Sequence, residues 1–494
     1  MKKARFLSIV LILTLLLSLP CVAAPDEAEP SASDTAASEE TPPESGGNTA
    51  PGITISDAPA PLKENDLVED FTADAGAAAL IELSTGTLIY GKEIDKQIYP
   101  ASLTKIMTCM LALEHGNLDD VLTVSATALE NLSEYGSTAG LMEGEELTLR
   151  ELLYCIMVSS ANEGCNVIAE HISGSVEAFV DLMNETAAAL GMTGTHYQNT
   201  HGLHDENHYT TVRDLSTLAR WAWSHETFRE FASTTSHVVP ATNKSEARNL
   251  HTTNYLISND IVGKYYYSKA QGIKTGFTTP AGGCLISTAT EGSLSIMTIV
   301  TGCSTDYGED GEVTDMRFVE TKRMMEYALE HFSYVQVLSD TVMVDMPSVL
   351  YAKGRGNVVV RAAENVSVLL PDSVDTSKII QVASYDGELV APLEAGQKVG
   401  TVSAMYEGEA IATCDLVTIT AVERSEAAYV ADQTQQAVEK TTNKMLKHWY
   451  FTFPLLLILI LAAVLLIIRG VNVRRAKKRK AQRRRAQQRR SGHE

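Results

Sequence analysis

Tyr99-Pro100-Ala101-Ser102-Leu103-Thr104-Lys105-Ile106-Met107-Thr108 is the stretch on which the reading of this chain turns. Pro100 and Ala101 close an extended segment. Apolar residues then recur at helical spacing through Leu103, Ile106, Met107, Met110, Leu111 and Leu113. That pattern predicts a largely buried helix starting near Ser102. Ser102 and Lys105 are three residues apart, just under one turn, so they share a helix face. A serine hydroxyl is a poor nucleophile at neutral pH and needs a base beside it. A lysine can serve once burial lowers its pKa, because desolvation disfavours the ammonium. The helix N-terminus adds backbone N–H groups and a partial positive charge, which favour an oxyanion there.

Ser-x-x-Lys alone decides nothing. A chain of 494 residues holds roughly one or two by chance, and the plain alternative is a capping serine beside a surface lysine. Two later motifs carry the case. Ser160-Ala161-Asn162 follows 58 residues after Ser102, at the junction of two helical patterns. Lys274-Thr275-Gly276 comes 114 residues later, on a predicted strand before Phe277. Lys-Thr-Gly is expected only ~0.1 times by chance in such a chain.

Around these motifs the chain changes texture several times. Residues 1–23 join Lys2, Lys3 and Arg5 to an apolar run and a small-residue end, the pattern of a secretory signal peptide. Residues 24–73 are rich in Pro, Ser, Ala, Thr and acids and read as a flexible spacer; 25–70 carry twelve acids against Lys63. A folded domain is expected over 74–333. Ala77–Leu83 and Thr87–Tyr90 read as strands around a Ser-Thr-Gly turn, Leu147–His171 as two helices, and 176–190 and Val212–His225 as further helices. Tyr265–Lys269, Gly283–Ala289 and Leu294–Thr301 read as strands, and Met316–His331 as a closing helix. From 334 to 422, short β-branched runs alternate with Gly, Asp and Asn turns, predicting a small all-β domain. A polar juxtamembrane segment (423–448) precedes an apolar transmembrane helix (449–468) and a basic tail (469–494).

Net charge is −22, but the last 26 residues hold twelve Lys/Arg against one acid, leaving the rest at −33. An acidic body with a basic tail fits two compartments better than a nucleic-acid binder. The tail is expected on the cytoplasmic side of a cell membrane, with Trp449 and Tyr450 at the other interface. The six cysteines after Cys21 show no metal spacing and no dense disulfide framework. They read as free buried thiols, with a Cys155–Cys165 bridge left open.

The ordered trio resembles that of penicillin-binding proteins and class A β-lactamases. More closely, the chain from about Ala77 to Val422 resembles the low-molecular-weight penicillin-binding proteins that are serine-type D-Ala-D-Ala carboxypeptidases. The likeness includes Asn199-Thr200-His201-Gly202-Leu203, His208-Tyr209-Thr210-Thr211, Arg213-Asp214, Ala391-Pro392-Leu393 and Gly396-Gln397-Lys398-Val399-Gly400. It implies an α/β (α+β) catalytic domain, with an antiparallel sheet flanked by helices and a helical subdomain carrying Ser160. A small all-β domain and a C-terminal transmembrane helix follow.

The resemblance implies Ser102 as nucleophile, Lys105 as base and Ser160 as proton shuttle. Asn162 would hold the substrate amide, and Lys274 and Thr275 the terminal carboxylate. Gly276 completes the motif, and the N–H groups of Ser102 and Phe277 form the oxyanion hole. Phe277 stands where some carboxypeptidases carry His, and Ala161 replaces a commoner Gly or Asp. Peptidoglycan stem peptides ending in D-Ala-D-Ala are the implied substrates and β-lactams the covalent inhibitors, without cofactor or metal. Two alternatives stand beside this reading. A β-lactamase needs a deacylating Glu after the second motif, for which no good candidate is seen. A penicillin sensor needs a cytoplasmic domain, and only about 25 residues follow the span.

His196, His201, His204 and His208 lie near Asp205 and Glu206 and suggest zinc. They sit in a Gly- and Asn-rich loop, and rigid placement of metal ligands is not expected there. Arg213-Asp214, at a helix start, reads as a structural ion pair.

Overall fold

The computed structural model describes residues 58–64, 71–133, 136–308 and 311–490. The leader read at 1–23 and most of the spacer read at 24–73 lie outside the described residues.

Along the chain, β1 (Lys63–Glu64), β2 (Ala77–Glu82) and β3 (Thr87–Lys92) precede α1 (Lys105–His115). The hairpin strands β4 (Val121–Thr123) and β5 (Glu146–Thr148) follow. Helices α2 (Leu149–Val158), α3 (Asn162–Ser173), α4 (Val176–Ala189), α5 (Val212–Ser224) and α6 (Glu226–Ala232) come next, then the hairpin β6 (Ser236–Val239) and β7 (Arg248–His251). Strands β8 (Ala270–Thr278), β9 (Gly282–Glu291) and β10 (Leu294–Cys303), the hairpin β11 (Thr305–Tyr307) and β12 (Val313–Asp315), and α7 (Met316–His331) close this part. Six strands form one sheet in the order β1-β3-β2-β10-β9-β8. It is antiparallel except where β1 joins β3.

The sheet is covered on both faces, and its alternation shows how. Ala77, Ala79 and Ile81 of β2, with Met297 and Ile299 of β10, enter one core together with α1, α2 and α3. Ala78 and Leu80, with Ile296 and Val300, enter a second core under α7. Side chains two apart share a face, so a strand reading Ala-Ala-Ala-Leu-Ile-Glu feeds both cores at once. Helix α1 is buried from Lys105 to Ala112, as expected of a helix that is apolar almost all round.

Three readings need correction. Tyr265–Lys269 is not a strand: Gly263–Tyr265 is a short turn of 3-10 helix, and β8 starts at Ala270. Tyr265 is held by Phe318, 5.0 Å away, and its hydroxyl accepts from Asp315 N at 2.8 Å, so aromatic packing produced a β-like pattern. Arg213 and Asp214 do not pair with each other. Arg213 bonds Asp95 at 2.6 Å, whereas Asp214 accepts from Gly194 N and Thr195 Oγ1. Part of the expected spacer is structured: Lys63–Glu64 pairs with β3, and Phe71 packs on Tyr90 and Tyr327.

After α7 come β13 (Phe332–Leu338), β14 (Met343–Asp345), β15 (Val360–Ala362), β16 (Val366–Pro371), β17 (Ile380–Tyr385), β18 (Lys398–Tyr406) and β19 (Glu409–Thr418). Five form a sheet in the order β14-β15-β19-β18-β17, and β13 pairs with β16. They share a separate core built from Val337, Leu338, Val360, Val402 and Leu416, among others. The last segments are one continuous helix, α8 (Glu426–Arg490), with Pro454 inside it. Its first turns are tied to this domain: Tyr351 bonds Asp432 and packs edge-on against Tyr429. The helix contains a run long and apolar enough to cross a membrane, which makes it a candidate anchor.

The six cysteines of the described residues are all free and buried, Cys155 and Cys165 among them.

Candidate active site

Ser102 lies in a single 3-10 turn, Ala101–Thr104, that runs straight into α1. The preceding Ala101 has φ +48°, a conformation that costs an L-residue roughly 1–2 kcal/mol. Strain of this kind persists only where the surroundings enforce it. Here they do. A Cβ on Gly202 would come 1.9 Å from Ala101 O, so the loop backbone is pressed against that carbonyl. Gly202 itself has φ +90°. Gly202→Ala should therefore destabilise the fold by on the order of 1–3 kcal/mol for the overpacking, seen as a lower melting temperature, and also slow acylation of Ser102. Calorimetry and a penicillin-labelling time course on the same sample check both.

Lys105 Nζ donates to Ser102 Oγ at 2.9 Å, Asn162 Oδ1 at 2.8 Å and the His201 carbonyl at 2.8 Å. Three bonds exhaust an ammonium. The lysine is fully buried, and burial pulls its pKa from the usual lysine range down to about 8, partly opposed by the nearby Cys165 and Glu163. Asn162 opens α3, and its own N–H donates to Ser137 O at 2.9 Å. Ser160 occupies the α2–α3 junction with φ +64° and faces the same cleft. None of the three Lys105 bonds reaches it.

The third motif is on β8, the edge strand beside the Ser102 turn. Its glycine permits the approach: a Cβ on Gly276 would stand 3.1 Å from Ser102 N and 3.2 Å from Pro100 O. Thr275 and Phe277 line the cleft, and Phe277 is 57% exposed. Lys274 does not line it. It lies beneath, buried, donating to Thr275 O at 3.1 Å. Burial, with Lys105 and Arg317 nearby, holds its pKa well below the usual lysine range.

The cleft has a volume of about 970 Å³ and gathers Ser102, Ser160, Asn162, Thr275 and Phe277 on its walls. Arg317, which the sequence reading missed, joins them. Its Nη1 donates to Gly276 O at 2.9 Å while Nε and Nη2 donate to Asp315, leaving one N–H on each terminal nitrogen. One signal for it was available. Arg317 is in the first turn of α7, where the helix dipole disfavours a cation, and so an arginine there calls for another reason.

The histidines have structural duties. His208 Nδ1 accepts from Gln198 N at 3.0 Å and His201 Nδ1 from Leu203 N at 3.2 Å. Burial pulls His201 down to about 3 and His208 to about 4.

A serine bonded to a buried lysine, at the N-terminal turn of a core helix and under an edge strand, can carry acyl transfer with an amine as base. Comparison with known proteins fits that class. Residues 64–305 match the family described as D-alanyl-D-alanine carboxypeptidase, and 332–424 match that described as penicillin-binding protein 5, C-terminal domain. The chain is 31% identical over 346 residues to D-alanyl-D-alanine carboxypeptidase DacF of Bacillus subtilis, covering 69% of this chain and 83% of that protein. It is 28% identical to D-alanyl-D-alanine carboxypeptidase DacC of Escherichia coli, covering 74% and 88%. Among solved structures, penicillin-binding protein 5 of Haemophilus influenzae superposes with a TM-score of 0.54 at 25% identity, covering 72% of this chain and 100% of that one. The chain belongs to the D-alanyl-D-alanine carboxypeptidase family, and its relatives are hydrolases.

Proposed function

We propose that the protein removes the terminal D-Ala from peptidoglycan stem peptides through an acyl-enzyme on Ser102, and that β-lactams acylate the same serine. The observation that carries this is the 2.9 Å bond between Ser102 Oγ, on the cleft wall, and a fully buried Lys105. Neutral Lys105 takes the Ser102 proton as Oγ attacks the penultimate D-Ala carbonyl. The Ser102 and Phe277 N–H groups hold the resulting oxyanion, an interaction worth roughly 3–4 kcal/mol per donor. The C–N bond breaks, Ser160 passes the proton to the leaving D-Ala amine, and water releases the acyl group. Asn162, with Oδ1 held by Lys105, offers its amide N–H to the substrate. Thr275 and Arg317 meet the terminal carboxylate, with Lys274 beneath them.

The catalytic domain (74–333) and the β domain (334–422) stand outside a cell membrane. Residues 449–468 span it and the basic end from 469 lies inside, following the bias of Lys and Arg to the cytoplasmic side. The test is direct. Purified protein incubated with a D-Ala-D-Ala peptide should release free D-Ala, and penicillin should add its mass to the Ser102 peptide. A label without D-Ala release would point to a sensor, and rapid turnover of penicillin to a β-lactamase.

The state of Lys105 fixes a pH dependence. With its pKa pulled down to about 8, the neutral base is the minor form at pH 6 and the major form above 8. Acylation of Ser102 by penicillin should rise about tenfold per pH unit below that point and level off above it. A stopped-flow pH series measures the midpoint.

A further inference from the structure

The nucleophile turn is held by a buried relay that the reaction scheme does not use. Ala101 O and Ser102 N–H belong to one planar peptide unit and point opposite ways. Whatever fixes the carbonyl therefore fixes the amide. Thr104 Oγ1 donates to Ala101 O at 2.8 Å, and His208 Nε2 lies 2.8 Å from the same Oγ1. The direction of the relay follows from its far end. Gln198 N–H donates to His208 Nδ1, so Nδ1 carries no proton and the hydrogen sits on Nε2. His208 thus donates to Thr104, whose own hydrogen is left for Ala101 O. Both side chains are buried, at 0% and 2% exposure.

We propose that His208 and Thr104 are positioning residues that hold the Ala101–Ser102 peptide in its left-handed setting and so aim Ser102 N–H at the oxyanion. This rests on the reading of Ser102 as nucleophile. Two observations support it. Ala101, at φ +48°, is in a conformation that an unsupported alanine leaves, and leaving it would rotate this peptide plane. Ser102 N lies beside Gly276, next to the second proposed donor, Phe277. Burial also keeps His208 neutral, with Asp205 opposing, so Nδ1 stays an acceptor for the Gln198 N–H and the ring keeps its place at working pH.

The test compares Thr104→Val, Thr104→Ser and His208→Gln in the full chain, each checked by thermal melting. Thr104→Val should lower kcat about tenfold to a hundredfold with KM within about twofold, because a misaimed donor loses less than the ~10²–10³ of a deleted one. Affinity for a boronic acid that forms a tetrahedral adduct on Ser102 should fall in parallel. Thr104→Ser should restore most of both, and His208→Gln should fall between. If Thr104→Val keeps kcat within twofold, the relay does not aim the amide. If the valine variant melts early and serine fails to rescue, His208→Gln decides: unchanged kcat in a well-folded His208→Gln protein overturns the proposal, and a selective kcat loss upholds it. If the unmutated protein takes up no penicillin on Ser102, the nucleophile reading itself fails and this one with it. Labelling of the unmutated protein alongside an unaffected Thr104→Val sinks the positioning role alone.

Discussion

Ser102→Ala should abolish D-Ala release and penicillin labelling together. Losing the nucleophile of a concerted site costs on the order of 10⁴–10⁶ in kcat, which places the variant at the assay background. The two losses must coincide, because one oxygen is proposed to attack both the peptide and the lactam carbonyl. Folding should barely change. The variant gives up one hydroxyl at a half-buried position, and Lys105 keeps two of its three acceptors, Asn162 and the His201 carbonyl. A melting temperature within a few degrees of the unmutated protein, with neither activity, is the expected pair of results. Release of D-Ala by the alanine variant would remove Ser102 from the mechanism whatever the family.

The parts of this site readable in the sequence are those fixed by local geometry or by rare words. Ser102 and Lys105 meet because three residues along a helical turn is a contact distance. The α2–α3 break at Ser159-Ser160-Ala161 shows as an interruption in a 3.6-residue pattern, and the structure places Ser160 there. Arg317, Thr104 and His208 were not readable as site residues, since each acquires its role through a partner far along the chain. Arg317 reaches Gly276, 41 residues back, and His208 reaches Thr104 across 104 residues. Lys274 fails in the opposite sense. Its motif is the rarest, but the sequence could not say that the side chain is buried under the cleft rather than exposed in it. The single helix from Glu426 to Arg490 was divided by composition into three segments, because polar, apolar and basic stretches can share one backbone ladder.

Lys105→Met should lower acylation by about 10²–10⁴, the usual range for a lost general base, and remove the pH step near 8. The second effect is the diagnostic one. Methionine is close to lysine in length, so the cavity stays filled and the cleft keeps its shape. Two opposing changes act on stability. The Asn162 Oδ1 and His201 carbonyl acceptors lose a charge-assisted bond each, at roughly 1.5–3 kcal/mol. Against this, the variant no longer buries a group whose folded pKa is depressed by desolvation. A depressed lysine pKa means that the folded state binds its proton less well than the unfolded chain. Below pH 8 this lysine therefore weakens folding, and the penalty fades as pH rises from about 8 toward the unfolded value. The melting temperature of Lys105→Met should accordingly compare best with the parent at pH 6 and worst at pH 10, while its residual acylation stays flat across that range. A variant that retains the pH step near 8 would assign the titration, and with it the base, to a different group.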